Sequence, residues 1–311
     1  VTRTRIGARG SRLSLWQANW VKTRIEQSVP DAEVEIVVIA TQGDMVQDLS
    51  IFAKGDKGVF TVEIERALLE GRIDLAVHSA KDLPTVLPEG LVISAFSERE
   101  NPLDALVSAS GRGLDALPSG ARIGSSSLRR QALLLHHRPD LRVEPLRGNL
   151  DTRLRKLDEG QCEALVLAQA GLARLGWGDR VTEILPPELM LPAVGQGALA
   201  LETREEDVVT RATVAFLDDL PTRRSLEAER ALLHALEAGC RAPVAGWGRA
   251  FGDRLLLEGL VASPDGRLVV RDSLEGDPAF AAELGLKLAD RLLSQGAAAI
   301  LRPLLAPRKD R

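Results

Sequence analysis

The chain has no tyrosine, and aromatic residues make up only 3% of its 311 positions. Single-stranded nucleic acid is held by stacking on several exposed aromatic faces, so that ligand class is not expected. With a formal charge of −4 the molecule also lacks the basic footprint of a duplex binder. Cysteine occurs twice, at Cys162 and Cys240, too few for a disulfide framework and without the spacing of a metal site. The four histidines, His78, His136, His137 and His234, show no ligand pattern, and no metal is expected. No P-loop is present and no GxGxxG opens a helix, which argues against nucleotide chemistry. No apolar run reaches the length of a membrane span, and residues 1–6 hold no apolar signal core. The expected compartment is therefore a reducing cytoplasm, with no membrane partner.

Lysine is scarce too, at 7 residues against 33 arginines, and the arginines are not spread evenly. Between positions 122 and 155 stand Arg122, Arg129, Arg130, Arg138, Arg142, Arg147, Arg153 and Arg155. Only Asp140, Glu144 and Asp151 oppose them, a local balance of +5. The guanidinium fork matches carboxylates and phosphates two bonds at a time. Several of these arginines sit beside small polar residues, in Gly124-Ser125-Ser126-Ser127-Leu128-Arg129-Arg130 and Arg147-Gly148-Asn149-Leu150-Asp151-Thr152-Arg153. A polyanionic small molecule is the ligand this pattern predicts.

A chain of this length exceeds one ordinary core, so two or three domains are expected. Short apolar runs predict strands at Arg5–Ala8, Val34–Thr41, Asp74–His78, Leu91–Phe96, Ala105–Val107, Arg122–Gly124, Arg142–Pro145 and Ala164–Ala168. Amphipathic helices lie between them, with Leu13, Trp16, Trp20 and Val21 on one apolar face and Val62, Ile64, Ala67 and Leu68 on another. This alternation predicts α/β domains with mainly parallel mixed sheets. Polar connectors near Asn101 and Gly195, the second feeding a strand at Ala198–Glu202, suggest that the chain leaves one domain, builds another and returns. A ligand cleft between two lobes is the usual result of that path. The expected limits are 1–98 with 198–217, 99–197, and a small α+β domain over 218–311. In that last domain a helix over Ser225–Ala238 stopped by Gly239 precedes strands at Val244–Trp247, Leu255–Leu260 and Leu268–Arg271 and a helix near Ala279–Leu293.

Ser11 can cap the first helix and leave Arg9 at its positive end, and Ser126 or Ser127 can do the same before Leu128. Val77-His78-Ser79-Ala80-Lys81-Asp82-Leu83-Pro84 closes an apolar strand, where an acid and a base face the ligand crevice of an α/β sheet. The motif alone reads Asp82 equally well as a surface turn residue. Cys240, in a turn beside Arg241, is either a reactive thiolate or a small buried hydrophobe. The glycine-rich stretch from Gly43 to Phe60 could form a lid.

Taken in order, Ala8-Arg9-Gly10-Ser11, the Val77–Pro84 and Gly124–Arg130 segments, Arg147-Gly148-Asn149, Leu191-Pro192-Ala193-Val194-Gly195-Gln196-Gly197 and Gly239-Cys240 resemble the porphobilinogen deaminases (hydroxymethylbilane synthases) of tetrapyrrole and heme biosynthesis. The series spans nearly the whole chain. The resemblance implies a monomeric transferase of three domains, two of them like periplasmic binding proteins. It implies joining of four porphobilinogen molecules with loss of ammonia, and release of hydroxymethylbilane. It also implies a dipyrromethane cofactor bound through a thioether to Cys240, with Asp82 as the catalytic carboxylate. Lys81, Ser79, Ser125, Ser127, Arg129 and Arg130 would hold the cofactor. Arg9, Ser11, Gln17, Arg147, Asn149, Arg153 and Arg174 would hold the substrate, and Lys57 and Phe60 would sit on the lid. The rival reading is a non-catalytic two-lobed anion-binding module, which needs neither Cys240 nor the Lys81-Asp82 pair.

Overall fold

The computed structural model describes residues 2–41, 61–237 and 242–305. Their strands, in chain order, are β1 (Thr2–Ala8), β2 (Ala32–Val38), β3 (Leu75–Ser79), β4 (Leu91–Phe96), β5 (Asp104–Ser108), β6 (Arg122–Gly124), β7 (Arg142–Glu144), β8 (Ala164–Ala168), β9 (Glu183–Ile184), β10 (Leu199–Arg204), β11 (Val244–Phe251), β12 (Arg254–Ala262) and β13 (Val269–Gly276). The chain divides into two compact units, residues 1–100 with 197–223 and residues 101–196 with 224–311.

The first unit is built on one sheet of order β2-β1-β3-β10-β4. β1 is parallel to β2 and β3, whereas β10 is antiparallel to β3 and β4. Leu75, Ala76 and Val77 of β3 are almost fully buried, because a helix covers each face of the sheet and leaves no wet side. Helix Arg12–Ser28 sets Ala18, Val21 and Ile25 against Ile6, Leu75 and Val77. Helix Val62–Leu69 sets Ile64, Ala67 and Leu68 against Ala76 and Leu91. Fully burying one such aliphatic side chain is worth about 1.5–3 kcal/mol. The apolar face expected from Leu13, Trp16 and Trp20 is rotated from the observed one, since those three are only partly buried. Ser14 and Gln17 are buried instead, and they turn toward the end of β3.

The second unit repeats the arrangement, with order β7-β6-β8-β5-β9. β6 is parallel to β7 and β8, and β5 is antiparallel to β8 and β9. Each sheet thus has two parallel and two antiparallel ladders. The strand that brings in the antiparallel ladders is the one beside a connector, β10 after Gly197 and β5 after Asn101. β9 escaped the sequence reading because two residues are too few to show alternation.

Also in the second unit, β11, β12 and β13 form an antiparallel sheet. Alternate residues of β12 serve two cores. Leu255, Leu257 and Val261 pack with helix Ala281–Leu292 and with Leu232, while Leu260 and Ala262 join Leu106, Ile123 and Val166. Helix Leu220–Ala235 ends before the expected position, and Glu237 takes a left-handed φ of 52°, a common way to stop a helix. Gly239 lies outside the described residues.

Gly285 marks the close crossing of the two helices of this region. A Cβ there would overlap the Ala228 carbonyl oxygen and come within 2.9 Å of the Leu232 nitrogen. Alanine favours helix over glycine by about 1 kcal/mol, but overpacking against backbone costs about 1–3 kcal/mol. Gly285→Ala is therefore expected to lower stability by on the order of 1 kcal/mol. Urea denaturation showing equal or greater stability would contradict the packing described.

Candidate functional site

β3 runs straight into a single 3₁₀ turn, Ala80–Asp82, which lifts Lys81 and Asp82 out of the sheet. Asp82 is exposed. The pocket at this strand end brings together Arg9, Ser11, Gln17, Ser79 and Asp82, five of the residues singled out from sequence, with His78 as a sixth wall. Gln17 Nε2 donates to the Ser79 hydroxyl at 2.9 Å. Ser11 caps helix Arg12–Ser28 by accepting from the Ser14 N–H, and Ser14 Oγ accepts from the Arg9 N–H at 3.0 Å. The helix start thus presents its positive end and an arginine to the same pocket, a ready anion site.

Behind this pocket lies a buried polar group that sequence reasoning missed. His78 Nε2 is 3.0 Å from Glu202 Oε2. The β3–β10 register pairs His78 with Ala200 and Ala76 with Glu202, so the two side chains are diagonal neighbours on one face. Glu65, on helix Val62–Leu69, is buried beside them. Burial pushes its carboxyl pKa up, against a hydrogen bond with Thr61, and the Glu202 charge raises it further. Among the described residues, Glu65 Oε1 and Glu202 Oε1 have no hydrogen-bond partner.

In the second unit Ser127 caps helix Leu128–His137 by accepting from the Arg130 N–H, which resolves the choice between Ser126 and Ser127. The cap turns Arg129 and Arg130 inward, where both are buried together with Ser125. Asp104, fully buried at the start of β5, lies between the two guanidiniums. Arg129 Nη1 donates to Asp104 Oδ2 at 2.7 Å, and Arg130 donates to Oδ1 through Nη2 at 2.7 Å and Nε at 3.1 Å. The Leu191 and Val166 carbonyls accept further bonds from Arg129 and Arg130, and Gln196 Nε2 donates to Asp104 Oδ1 at 2.9 Å. Burial alone would raise the Asp104 pKa, but the two arginine charges outweigh it and hold the carboxyl far below its ordinary range. Burial lowers the Arg129 pKa, opposed by Asp104 and aided by Arg130. Two cations against one anion leave a positive charge over, and Arg129 Nε is buried with no partner among the described residues.

Asn149 caps helix Leu150–Asp158 by accepting from the Thr152 N–H. Arg153 Nε donates to the Gly148 carbonyl at 2.9 Å, which draws Arg153 back to the helix start beside Arg147. Arg174 ends helix Gln169–Arg174. Cys240, Lys57 and Phe60 lie outside the described residues.

Asp104 and Glu202 had a signal in the sequence, namely a lone acid in an otherwise apolar strand. Such a residue needs a buried partner. His78 had the same signal and was set aside for lack of a metal pattern.

Removing one partner of a buried ion pair typically costs about 3–5 kcal/mol, and Asp104→Ala is expected to lose that much. Because the folded Asp104 carboxyl titrates below its unfolded value, its contribution is complete above about pH 4 and is lost as pH falls. The stability gap between the native protein and Asp104→Asn should therefore shrink below about pH 4. Denaturant titrations across pH test the sign.

No described helix is long and apolar enough to cross a membrane. Residues 4–212 match the family described as porphobilinogen deaminase, dipyromethane cofactor binding domain, and residues 224–294 match the porphobilinogen deaminase C-terminal domain. The porphobilinogen deaminase of Pelotomaculum thermopropionicum is 50% identical, over 96% of this chain and 95% of its own. That of Geobacter metallireducens is 50% identical over 96% and 93%, and that of Syntrophus aciditrophicus 49% identical over 96% and 98%. Among solved structures, the methionine-binding protein MetQ aligns with 69% of this chain and 89% of its own, at 15% identity and a TM-score of 0.45. That level of likeness bears on neither ligand nor chemistry. With both domain matches in order and half of all residues shared along nearly its full length, the chain belongs to the porphobilinogen deaminase family.

Proposed function

We propose that the protein joins four porphobilinogen molecules head to tail with loss of ammonia and releases hydroxymethylbilane, working from a dipyrromethane carried on Cys240. The observation that carries this reading is the surplus of buried positive charge around Asp104, with the orphaned Arg129 Nε. A group bearing acetate and propionate side chains supplies the anions this cluster lacks. Ser125, Ser127, Arg129 and Arg130 would hold those side chains, with Ser79 and Lys81 contributing from the end of β3. When bound, the cofactor supplies a pyrrole whose free α-carbon is the starting point for chain growth.

The substrate also carries two carboxylates, which explains why arginines cluster in a protein of net negative charge. Arg9 and Ser11, at a helix start, suit one carboxylate, with Gln17 fixing Ser79 beside them. Arg147, Asn149 and Arg153, at another helix start, suit a second, and Arg174 is assigned to the same role. Each charge-assisted bond is worth about 1.5–3 kcal/mol, and the forks also orient the ring. Loss of ammonia leaves an electron-poor carbon on the substrate. Asp82 is the exposed anion in the first pocket, placed to stabilise that positive charge, which is the kind of electrostatic assistance that dominates many enzymes. A free-standing anion-binding module would require none of the Asp82 chemistry.

Intact-protein mass spectrometry is expected to show two linked pyrrole units on the native chain and none on Cys240→Ala. Asp82→Ala should keep that adduct and lose about 10²–10⁴-fold in kcat. Arg129→Leu or Arg130→Leu should fail to acquire the adduct. A native protein of unmodified mass that still forms product would refute the covalent primer.

A further inference from the structure

The pocket at the end of β3 holds a second titratable side chain that the roles above leave unused. His78 lines it together with Asp82, and the His78 ring and its partner Glu202 are both buried. An imidazole that donates one N–H to a buried carboxylate has its tautomer and orientation fixed, and it offers the opposite nitrogen as a proton acceptor. With Nε2 committed to Glu202, that acceptor is Nδ1. Among the described residues, the charged groups around the ring are Glu202 on β10, Glu65 on helix Val62–Leu69, Asp82 in the turn after β3, and Arg9 beside helix Arg12–Ser28. Burial holds the Glu65 carboxyl above its ordinary range, so a second negative charge beside the pair is disfavoured.

The chemistry needs two things from this pocket that one carboxylate supplies poorly. A cation must be stabilised, which requires Asp82 to stay charged, and a proton must be removed, which would neutralise it. Resting on the deaminase reading, we propose that His78, oriented by Glu202, is the base that removes the proton from a pyrrole α-carbon after that carbon has formed its new bond. The C–H bond breaks, its electron pair returns to the ring and restores aromaticity, and the proton passes to His78 Nδ1. The positive charge moves from the ring to the imidazole, where Glu202 balances it, and the proton then leaves to solvent. Asp82 keeps its charge throughout.

The test compares porphobilinogen carrying hydrogen or deuterium at its free α-carbon, on enzymes whose cofactor loading has been verified by mass. His78→Gln is expected to lose about 10²–10⁴-fold in kcat and to show a primary isotope effect larger than the native enzyme's. His78→Gly should recover part of its rate with added imidazole. Glu202→Gln, a positioning change, should lose less and show the same enlarged isotope effect. A loaded His78→Gln enzyme whose isotope effect matches the native one overturns the proposal. If the histidine variant does not load, an unchanged isotope effect in Glu202→Gln overturns it instead. A native protein that makes no hydroxymethylbilane would overturn the deaminase reading, and is a separate outcome.

Discussion

One carboxylate holds the second unit's functional face in place. Two adjacent guanidiniums buried in the same site repel each other, and each is costly to remove from water. Asp104 makes the arrangement tolerable by bonding both. Because Asp104 opens β5 while Arg129 and Arg130 open a helix, the cluster fixes strand and helix together. Gln196 Nε2 adds the Pro102 carbonyl and Asp104 itself to the network, so the ends of both connectors are tied to the same point. The leftover positive charge is the feature on which the proposed role of this cluster in holding acids rests.

The same physical solution appears three times along the chain. Arg9 stands at a helix start capped by Ser11, Arg129 and Arg130 at one capped by Ser127, and Arg147 and Arg153 at one capped by Asn149. A cap satisfies an exposed N–H and fixes the entry angle of the chain, so the neighbouring arginine is aimed as well as charged. The helix end adds its own partial positive charge. The positive charge at these starts is local, and the net negative charge of the whole molecule is screened beyond about 10 Å in ordinary salt.

Much of this was legible in the sequence. The apolar runs located β4, β6 and β8 to the residue, and β8, buried from Ala164 to Leu167, reads as an unbroken hydrophobic stretch because both its faces are covered. The small-polar-plus-arginine segments located two of the capped starts, at Ser11 and Ser127, since Ser is favoured there for a mechanical reason; the cap at Asn149 came only with the structure. Direction of pairing was harder to read. Nothing in Leu199–Arg204 says that it will lie between β3 and β4, because that position depends on where the chain returns from. The rotated face of the first helix misled for a related reason, with Gln17 buried to serve the site while Trp16 and Trp20 stay partly wet. The buried partners Asp104, Glu202 and Glu65 were invisible as a set, since each is a single acid whose complement is far away in sequence.

The order β2-β1-β3-β10-β4 also governs when the first sheet can exist. β3 and β4 are consecutive along the polypeptide, yet they touch only through β10, which arrives a hundred residues later. During synthesis the amino-terminal segment therefore waits with a vacant slot in the middle of its sheet. His78, 124 positions before Glu202, lacks that hydrogen-bond partner until the slot is filled. The ribosome must deliver the whole stretch between β4 and β10 before the first unit can close, so neither half of this protein is a natural place to cut it.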